Sequence, residues 1–268
     1  ADFIAQLVSA VQENGQIKNL KNGEATTAIN NFSQAWGVLA LHRVGETEAA
    51  ERATDFLETQ VCSDGGVQLA SAIEPTCKTT DSDVTAMAAQ ALTLANGAQD
   101  PTTQATLDYL VTTMDETGGV ENTWTGVNSN STGLVGSAFA LVGDKENYLK
   151  ARGYLASVQF GQDAAPSLQG AFAYKAEDKE NSQVVSDPIR RATSQAALGF
   201  AGGNLANSDI FTVADPVDPT PDPEIPTPPA DSEGSTGGIG GAGIIIAILA
   251  ILAAIAGVMG PMMANLQF

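Results

Sequence analysis

The stretch Phe56-Leu57-Glu58-Thr59-Gln60, followed by Asp64-Gly65-Gly66-Val67, decides the fold, because its pattern occurs four times in the chain. Each time, an aliphatic or aromatic helix signature runs into a glycine turn, and a helix of small residues follows. The turn glycines recur about every fifty residues and are Gly15, Gly66, Gly119 and Gly170. A fixed period of this size indicates an array of supersecondary units.

A second kind of segment lies between the glycine turns. Asp81 to Leu94 and Asn128 to Leu141 align without a gap, and equivalent segments begin at Asn30 and Asp187. Asp and Asn accept hydrogen bonds from the free amides at a helix start. Small and apolar residues occupy nearly all sides of these segments, which is typical of buried helices. We therefore predict buried inner helices that start at these four positions.

The helices that precede the turns differ from the inner ones. Thr54 to Val61 and Ala105 to Met114 each have one apolar stripe and one polar face, which is typical of an outer layer. No stretch shows sustained strand alternation. The sequence thus predicts an all-α domain over residues 1–213, a ring or arc of about four helical hairpins. An all-α solenoid of another type is the alternative.

The repeat consists of an aromatic-Leu pair, a Gln, a Gly-Gly turn and a helix that starts Asp-x-Asp-x-Thr-Ala. This pattern resembles the prenyltransferase and squalene-oxidase repeat over residues 1–205. The resemblance implies an α/α-toroid, partial or complete, the fold of protein prenyltransferase β subunits, terpenoid cyclases and transcobalamin-like carriers. The catalytic motifs of these enzymes are not matched: Asp81-Ser82-Asp83 lacks the third carboxylate of Asp-x-Asp-Asp, and Asp-Asp-x-x-Asp is absent. The zinc ligands of prenyltransferases also have no counterpart. We therefore expect no catalytic residue, no metal site and no cofactor.

The transcobalamin-like carriers grip their ligand at the inner-helix N-termini and the preceding loops. The resemblance therefore implies ligand contacts in the second and third repeats. The candidate binding residues are Asp81, Asp83, Thr85, Asn128, Asn130 and Thr132, together with the loop aromatics Trp124 and Tyr174. Aromatic side chains offer flat, amphipathic contact surface. Helix capping alone is the alternative role for the Asp and Asn residues.

The C-terminal part of the chain differs in composition. Residues 214–238 are rich in Pro and acidic residues, which predicts a disordered linker. Residues 239–263 carry no charge and supply the roughly 20 apolar residues of a bilayer-spanning helix, and residues 264–268 form a short tail. A buried core helix is the alternative for 239–263.

Two observations favour an extracytoplasmic location for the 1–213 domain. The chain starts at Ala1 rather than Met, as after signal-peptide cleavage. Cys62 and Cys77 are the only cysteines and lie close in sequence, which favours a disulfide over two free thiols or a metal site. The formal net charge of −19 argues against nucleic acid as a partner.

These observations give three hypotheses for function. The first is a membrane-anchored, surface-exposed, non-catalytic toroid that binds a small ligand; by resemblance, the ligand is a corrinoid such as cobalamin. The second is a structural or interaction module that docks on a membrane protein complex. The third is an enzyme of the terpenoid cyclase or prenyltransferase class.

Overall fold

The computed structural model describes residues 2–206. The predicted domain boundary at 213, the linker 214–238, the membrane helix 239–263 and the tail 264–268 lie outside the described residues. Within residues 2–206, no helix has both the length and the apolar character needed to cross a membrane.

The described part of the chain is mostly helical and contains two small antiparallel sheets. In chain order, the elements are α1 (Phe3–Ala10), β1 (Lys18–Lys21), β2 (Glu24–Ala28), α2 (Asn31–Val44), α3 (Thr47–Glu58), α4 (Ser82–Asn96), α5 (Pro101–Thr112), β3 (Val120–Asn122), β4 (Gly126–Asn128), α6 (Ser129–Val142), α7 (Lys145–Val158), α8 (Ala176–Asn181) and α9 (Asp187–Phe200).

The helices form an inner and an outer row. In the inner row, α4 packs against α2 and α6, and α6 packs against α9. The outer helices α3, α5 and α7 each pack against the inner helix that precedes them in the chain. The predicted alternation is therefore present, although α3 and α5 begin several residues before the stripes from which they were predicted.

The two hairpins correct the expectation of an all-α domain. β1 pairs with β2 and β3 pairs with β4, in each case between a glycine turn and the inner helix after it. Asn22 and Gly23 both have positive φ at the β1–β2 connection, as the tightest hairpin turns require. Strands of three to five residues are too short to show an alternating pattern that stands out in sequence.

A joint between each turn and the next outer helix repeats along the array. The turn glycines Gly15, Gly65, Gly118 and Gly170 have positive φ, so in each Gly-Gly pair the first residue takes the left-handed conformation. A Cβ on any of the first three would overlap a backbone carbonyl oxygen of the following outer helix, at Arg52, Ala105 and Lys150. Only glycine permits this approach. The turns of the first three repeats are therefore packing surfaces for the outer helix of the next repeat.

A side-chain hydrogen bond ties each turn to the inner helix of its own repeat. The amide two positions after the turn glycine donates to a side-chain oxygen in the first turns of that helix, at 2.9–3.0 Å. The four acceptors are Gln34 Oε1, Thr85 Oγ1, Thr132 Oγ1 and Thr193 Oγ1, and their donors are the amides of Ile17, Val67, Val120 and Phe172. We call this contact the latch.

The fourth repeat departs from the pattern in two ways. The connection from Gln159 to Gly170 is seven residues longer than the equivalent one from Val61 to Gly65, and no outer helix follows α9 within the described residues. Instead, residues 203–206 return to α2 and α4. The amide of Leu205 donates to Gln90 Oε1 at 2.9 Å, and its carbonyl accepts from Arg43 Nη1 at 2.8 Å. This segment therefore links the last repeat to the first two.

Candidate functional site

The candidate site lies at the N-terminal ends of the inner helices. Four segments connect the turns to these helices, and we call the surface that they form the mouth face. It consists of residues 18–29, 68–80, 121–127 and 173–186. Loops that project from a packed helical scaffold are where binding residues concentrate in proteins.

Hydrogen bonds join each of the last three segments to the start of the inner helix in the preceding repeat. The bonds include Asn31 N to Leu69 O at 2.9 Å, Asn122 Nδ2 to Asp81 Oδ2 at 3.0 Å and Ser129 Oγ to Ala173 O at 2.7 Å. A second bond joins the β3–β4 hairpin to the end of the second segment, from Thr123 Oγ1 to Thr80 O. The base of the mouth face is thus a continuous bonded rim.

Thr85 and Thr132, two of the predicted ligand contacts, are fully buried. Each hydroxyl accepts the latch hydrogen bond and donates to a backbone carbonyl one helical turn earlier, at 2.7 Å. Neither side chain reaches the surface of the mouth face. The geometry gives both residues a role in holding the repeat together.

Asp81 and Asn128 are also buried, and both cap inner helices. Asp81 Oδ1 accepts from the amides of Asp83 and Val84, and Asn128 Oδ1 accepts from the amide of Ser131. The other oxygen of Asp81 bonds to Asn122, as described above. These contacts match the capping alternative, because the polar atoms of both side chains bond within the protein.

Asp83 and Asn130 occupy equivalent positions on α4 and α6, and both keep unused hydrogen-bonding capacity. Asp83 Oδ1 and Asn130 Oδ1 are buried and have no hydrogen-bond partner among the described residues. Burial, together with the negative charge of Asp81, raises the pKa of Asp83 to about 7, although hydrogen bonds from Ser131 and Asn122 act in the opposite direction. Asp83 is therefore a carboxyl that can carry a proton near neutral pH.

Large apolar side chains are exposed on three of the four segments. Trp124, at the tip of the β3–β4 hairpin, is 66% exposed, Ile73 is 66% exposed and Val184 is 70% exposed. Trp124 was predicted as a contact residue, whereas Ile73 and Val184 were not. The short stretches around them carry no periodic signal, so only the position of each loop reveals them.

The segment that carries Ile73 is closed by a disulfide. Cys62 and Cys77 are bonded, which confirms the predicted pairing. Gln68 supports the same segment, because its Oε1 accepts from the amide of Cys77 at 3.0 Å and from Thr76 Oγ1 at 3.2 Å. Ile73 therefore projects from a loop that is constrained at both ends.

One cavity lies on the mouth face and another lies on the outer side of the array. The first, of about 410 Å³, lies against Tyr174, Lys175, Ser186 and Ile189. The second, of about 210 Å³, lies between α5 and the ends of α4 and α6. Tyr174, a predicted contact residue, thus lines the mouth-face cavity. Within residues 2–206, no three His, Cys, Asp or Glu side chains are grouped to hold a metal ion.

No family model and no curated protein matches the chain. Among solved structures, it is similar to a protein from Actinoplanes (16% identity, TM-score 0.45, 73% of this chain and 63% of that one). It is also similar to the protein geranylgeranyltransferase-I of Candida albicans (13%, 0.48, 70% and 53%) and to the type II terpene cyclase MstE from Scytonema (14%, 0.41, 74% and 75%).

The chain thus spans less than two thirds of the Actinoplanes and Candida chains. Protein prenyltransferases and terpene cyclases are also the proteins that the sequence repeat resembles. At these identities and TM-scores, the matches do not extend to activity or substrate.

Proposed function

We propose that this chain is a membrane-tethered, non-catalytic binding module that docks on a partner protein through its mouth face. The observation that carries the proposal is the exposure of Ile73, Trp124 and Val184 on three segments of one face. Single exposed apolar residues are common, but several on one loop-built face favour a contact surface. Tryptophan is also among the residues that contribute most binding energy at protein interfaces.

The rim beneath these side chains supports the proposal. Because the segments bond to neighbouring helix starts and one is closed by a disulfide, their exposed tips lose little freedom on binding. The side chains that cap the inner helices or form the latch already hydrogen-bond within the protein. The proposed contact surface therefore consists of the exposed loop tips and not of the polar residues at the helix starts.

The wider arrangement is part of the same proposal. The inner row is a partial α/α ring, residues 239–263 anchor the chain, and the mouth face meets its partner outside the cytoplasm. The Cys62–Cys77 disulfide supports that location, because disulfides persist in oxidising compartments. The strongly acidic chain favours a protein partner over nucleic acid.

The test uses the full chain in its native membranes. A photo-reactive residue is placed at position 124 and, as a matched control, at Leu149, which is also exposed but lies on the outer helix α7. We expect a discrete cross-linked partner from position 124 only, and we expect Trp124→Ala to lower recovery of that partner by about ten-fold. Equal cross-linking from the two positions would contradict the proposal.

A small ligand is the second candidate, and the mouth-face cavity favours it. Its volume of about 410 Å³ falls within the range of small-molecule pockets, roughly 300–1,000 Å³. Tyr174 and Lys175 supply an aromatic surface and a cation, and Glu177 and Asp178 add two carboxylates to the lining. A corrinoid exceeds a drug-sized molecule, so it would rest on this cavity rather than enter it fully. Cobalamin at high micromolar concentration should raise the melting temperature of the native chain but not that of Tyr174→Ala. An unchanged melting temperature of the native chain would eliminate the small-ligand candidate.

Acid catalysis of the terpenoid cyclase type is the third candidate, and Asp83 alone favours it. A carboxyl with a pKa of about 7 can donate a proton near neutral pH. Neither described cavity is lined by Asp83, so a substrate would need another route to it. Turnover of a polyprenyl substrate that disappears in Asp83→Asn would support this candidate, and absence of turnover in the native chain would remove it.

A further inference from the structure

Asparagine followed by glycine occurs three times in the sequence, as Asn14-Gly15, Asn22-Gly23 and Asn96-Gly97. Such a pair is chemically labile, because the backbone nitrogen of the glycine can attack the side-chain amide carbon of the asparagine without hindrance from a Cβ. All three asparagines are exposed. Sequence and solvent access therefore do not distinguish the three pairs, and their local contacts decide which of them reacts.

The first pair is held away from this reaction. The amide of Gly15 donates to Gln12 O at 2.9 Å, and Asn14 Oδ1 accepts from the amide of Gln16 at 3.1 Å. Gly15 is also buried against the outer helix α3, where a Cβ would overlap Arg52 O. Attack at this pair would therefore require two hydrogen bonds to break and the turn to leave its packing site.

The third pair is held at the end of α4. Gly97 is the C-cap residue, and its amide donates to Thr93 O at 3.0 Å. Asn96 Nδ2 donates to Glu58 Oε1 at the end of α3. The attacking nitrogen and the side chain that it would attack are thus both restrained by hydrogen bonds.

The second pair has neither restraint. Asn22 and Gly23 form the two-residue turn between β1 and β2, with φ of 54° and 83°. Among the described residues, the Asn22 side chain and the Gly23 amide have no hydrogen-bond partner. A Cβ on Gly23 would meet no atom within 4 Å, so no other element packs against the turn at this point.

We propose that Asn22 is a site of spontaneous deamidation in the folded protein, and that the other two Asn-Gly pairs are protected. The amide nitrogen of Gly23 gives up its proton and bonds to Cγ of Asn22, while the Cγ–Nδ2 bond breaks and ammonia leaves. Water then opens the resulting five-membered imide. Hydrolysis at Cγ leaves aspartate, and hydrolysis at the backbone carbonyl leaves isoaspartate, in which the main chain runs through Cγ.

Either product changes the first segment of the mouth face. Residues 18–29 carry two lysines, Lys18 and Lys21, and one acidic residue, Glu24, so the new carboxylate cancels their single net positive charge. Isoaspartate also adds a carbon to the main chain within a two-residue turn, which loosens the pairing of Lys21 with Glu24. The reaction therefore alters both the charge and the shape of this segment.

Peptide mass spectrometry of the full chain tests the proposal. One sample is kept folded in mild detergent at mildly alkaline pH and body temperature, and the matched control is kept unfolded in guanidinium chloride under the same conditions. After proteolysis, each Asn-Gly pair is scored for the mass gained when an amide becomes a carboxyl group. Isoaspartate is identified by labelling with an isoaspartate-specific methyltransferase.

In the folded chain, we expect Asn22 to react about ten-fold faster than Asn14 or Asn96, because the hydrogen bonds of the other two pairs must break first. In the unfolded chain, the three pairs should react at similar rates, since glycine follows each asparagine. The comparison of the two samples separates protection by the fold from the lability of the pair itself.

Two results would overturn the proposal. The first is an unmodified Asn22 in the folded chain after a time in which the unfolded chain is modified there. The second is equal rates at the three pairs in the folded chain, which would show that the hydrogen bonds of Asn14-Gly15 and Asn96-Gly97 give no protection.

Discussion

At Thr85, one hydroxyl group joins two parts of the second repeat. It accepts from the amide of Val67 just after the turn and donates to the carbonyl of Asp81 at the helix start. Thr132 makes the equivalent pair of bonds in the third repeat. In the sequence, Thr85 looks like part of a polar binding motif. In the structure, its hydroxyl holds the turn against the start of the inner helix.

Replacing Thr85 with Val should destabilise the protein by about 1–3 kcal/mol, because the buried amide of Val67 loses its acceptor. Urea unfolding followed by circular dichroism measures the change. Thr85→Ser is the control: it keeps the hydroxyl and should lose less stability than the Val variant. Unchanged stability in Thr85→Val would show that the latch contributes nothing.

Asp83 makes stability depend on pH. Its folded pKa, about 7, lies above the ordinary value of 3.8, so the folded chain binds this proton more tightly than the unfolded chain. The contribution of Asp83 to stability is therefore fully present below about pH 4, declines as pH rises towards 7 and is absent above that.

Asp83→Asn should remove this decline, since the amide has no proton to lose. We expect the melting temperature of the variant, relative to the native chain, to rise between pH 5 and pH 8. Asp55→Asn, on the exposed face of α3, controls for loss of a surface carboxylate. A variant that keeps the full pH dependence of the native chain would mean that another group is responsible.

At the scale of elements, turn glycines with the same backbone conformation differ in whether an outer helix packs against them. Gly118 and Gly170 have φ of 84° and 79°, so alanine is strained at both, by about 1–2 kcal/mol. Only at Gly118 does the new methyl also overlap the backbone of α7, at the carbonyl of Lys150.

We therefore expect Gly118→Ala to lose about 2 kcal/mol more stability than Gly170→Ala. Thermal unfolding of the two variants gives the comparison. Equal losses would indicate that α7 shifts away from the turn at little cost.

The elements also show what the sequence reveals. The alternation of inner and outer helices was predictable, because it follows from a period that recurs four times and from capping residues such as Asp81 and Asn128. The two hairpins were not, since their strands are short and the β1–β2 pair is largely exposed. The Cys62–Cys77 disulfide was predictable from the spacing of the only two cysteines.

At the scale of the whole molecule, the candidate surface was the least predictable feature. Contacts between repeats, such as the hydrogen bond from Asn122 to Asp81, decide which polar side chains are already bonded within the rim. No local sequence pattern encodes these contacts. The exposure of Ile73 and Val184 likewise depends on where a loop tip lies after folding. Trp124 was predicted as a contact because it is an aromatic residue in a loop, and its exposure is consistent with that prediction, which remains to be tested.

The bonds of Leu205 have a consequence for how the protein unfolds. In a linear array, each repeat touches only its neighbours, so the terminal repeats can fray independently. Here Leu205 joins the last repeat to Gln90 on α4 and to Arg43 at the end of α2. Opening the last repeat therefore breaks contacts of the first two, and the amides of α2 and α9 should exchange with solvent hydrogen in one cooperative step rather than separately.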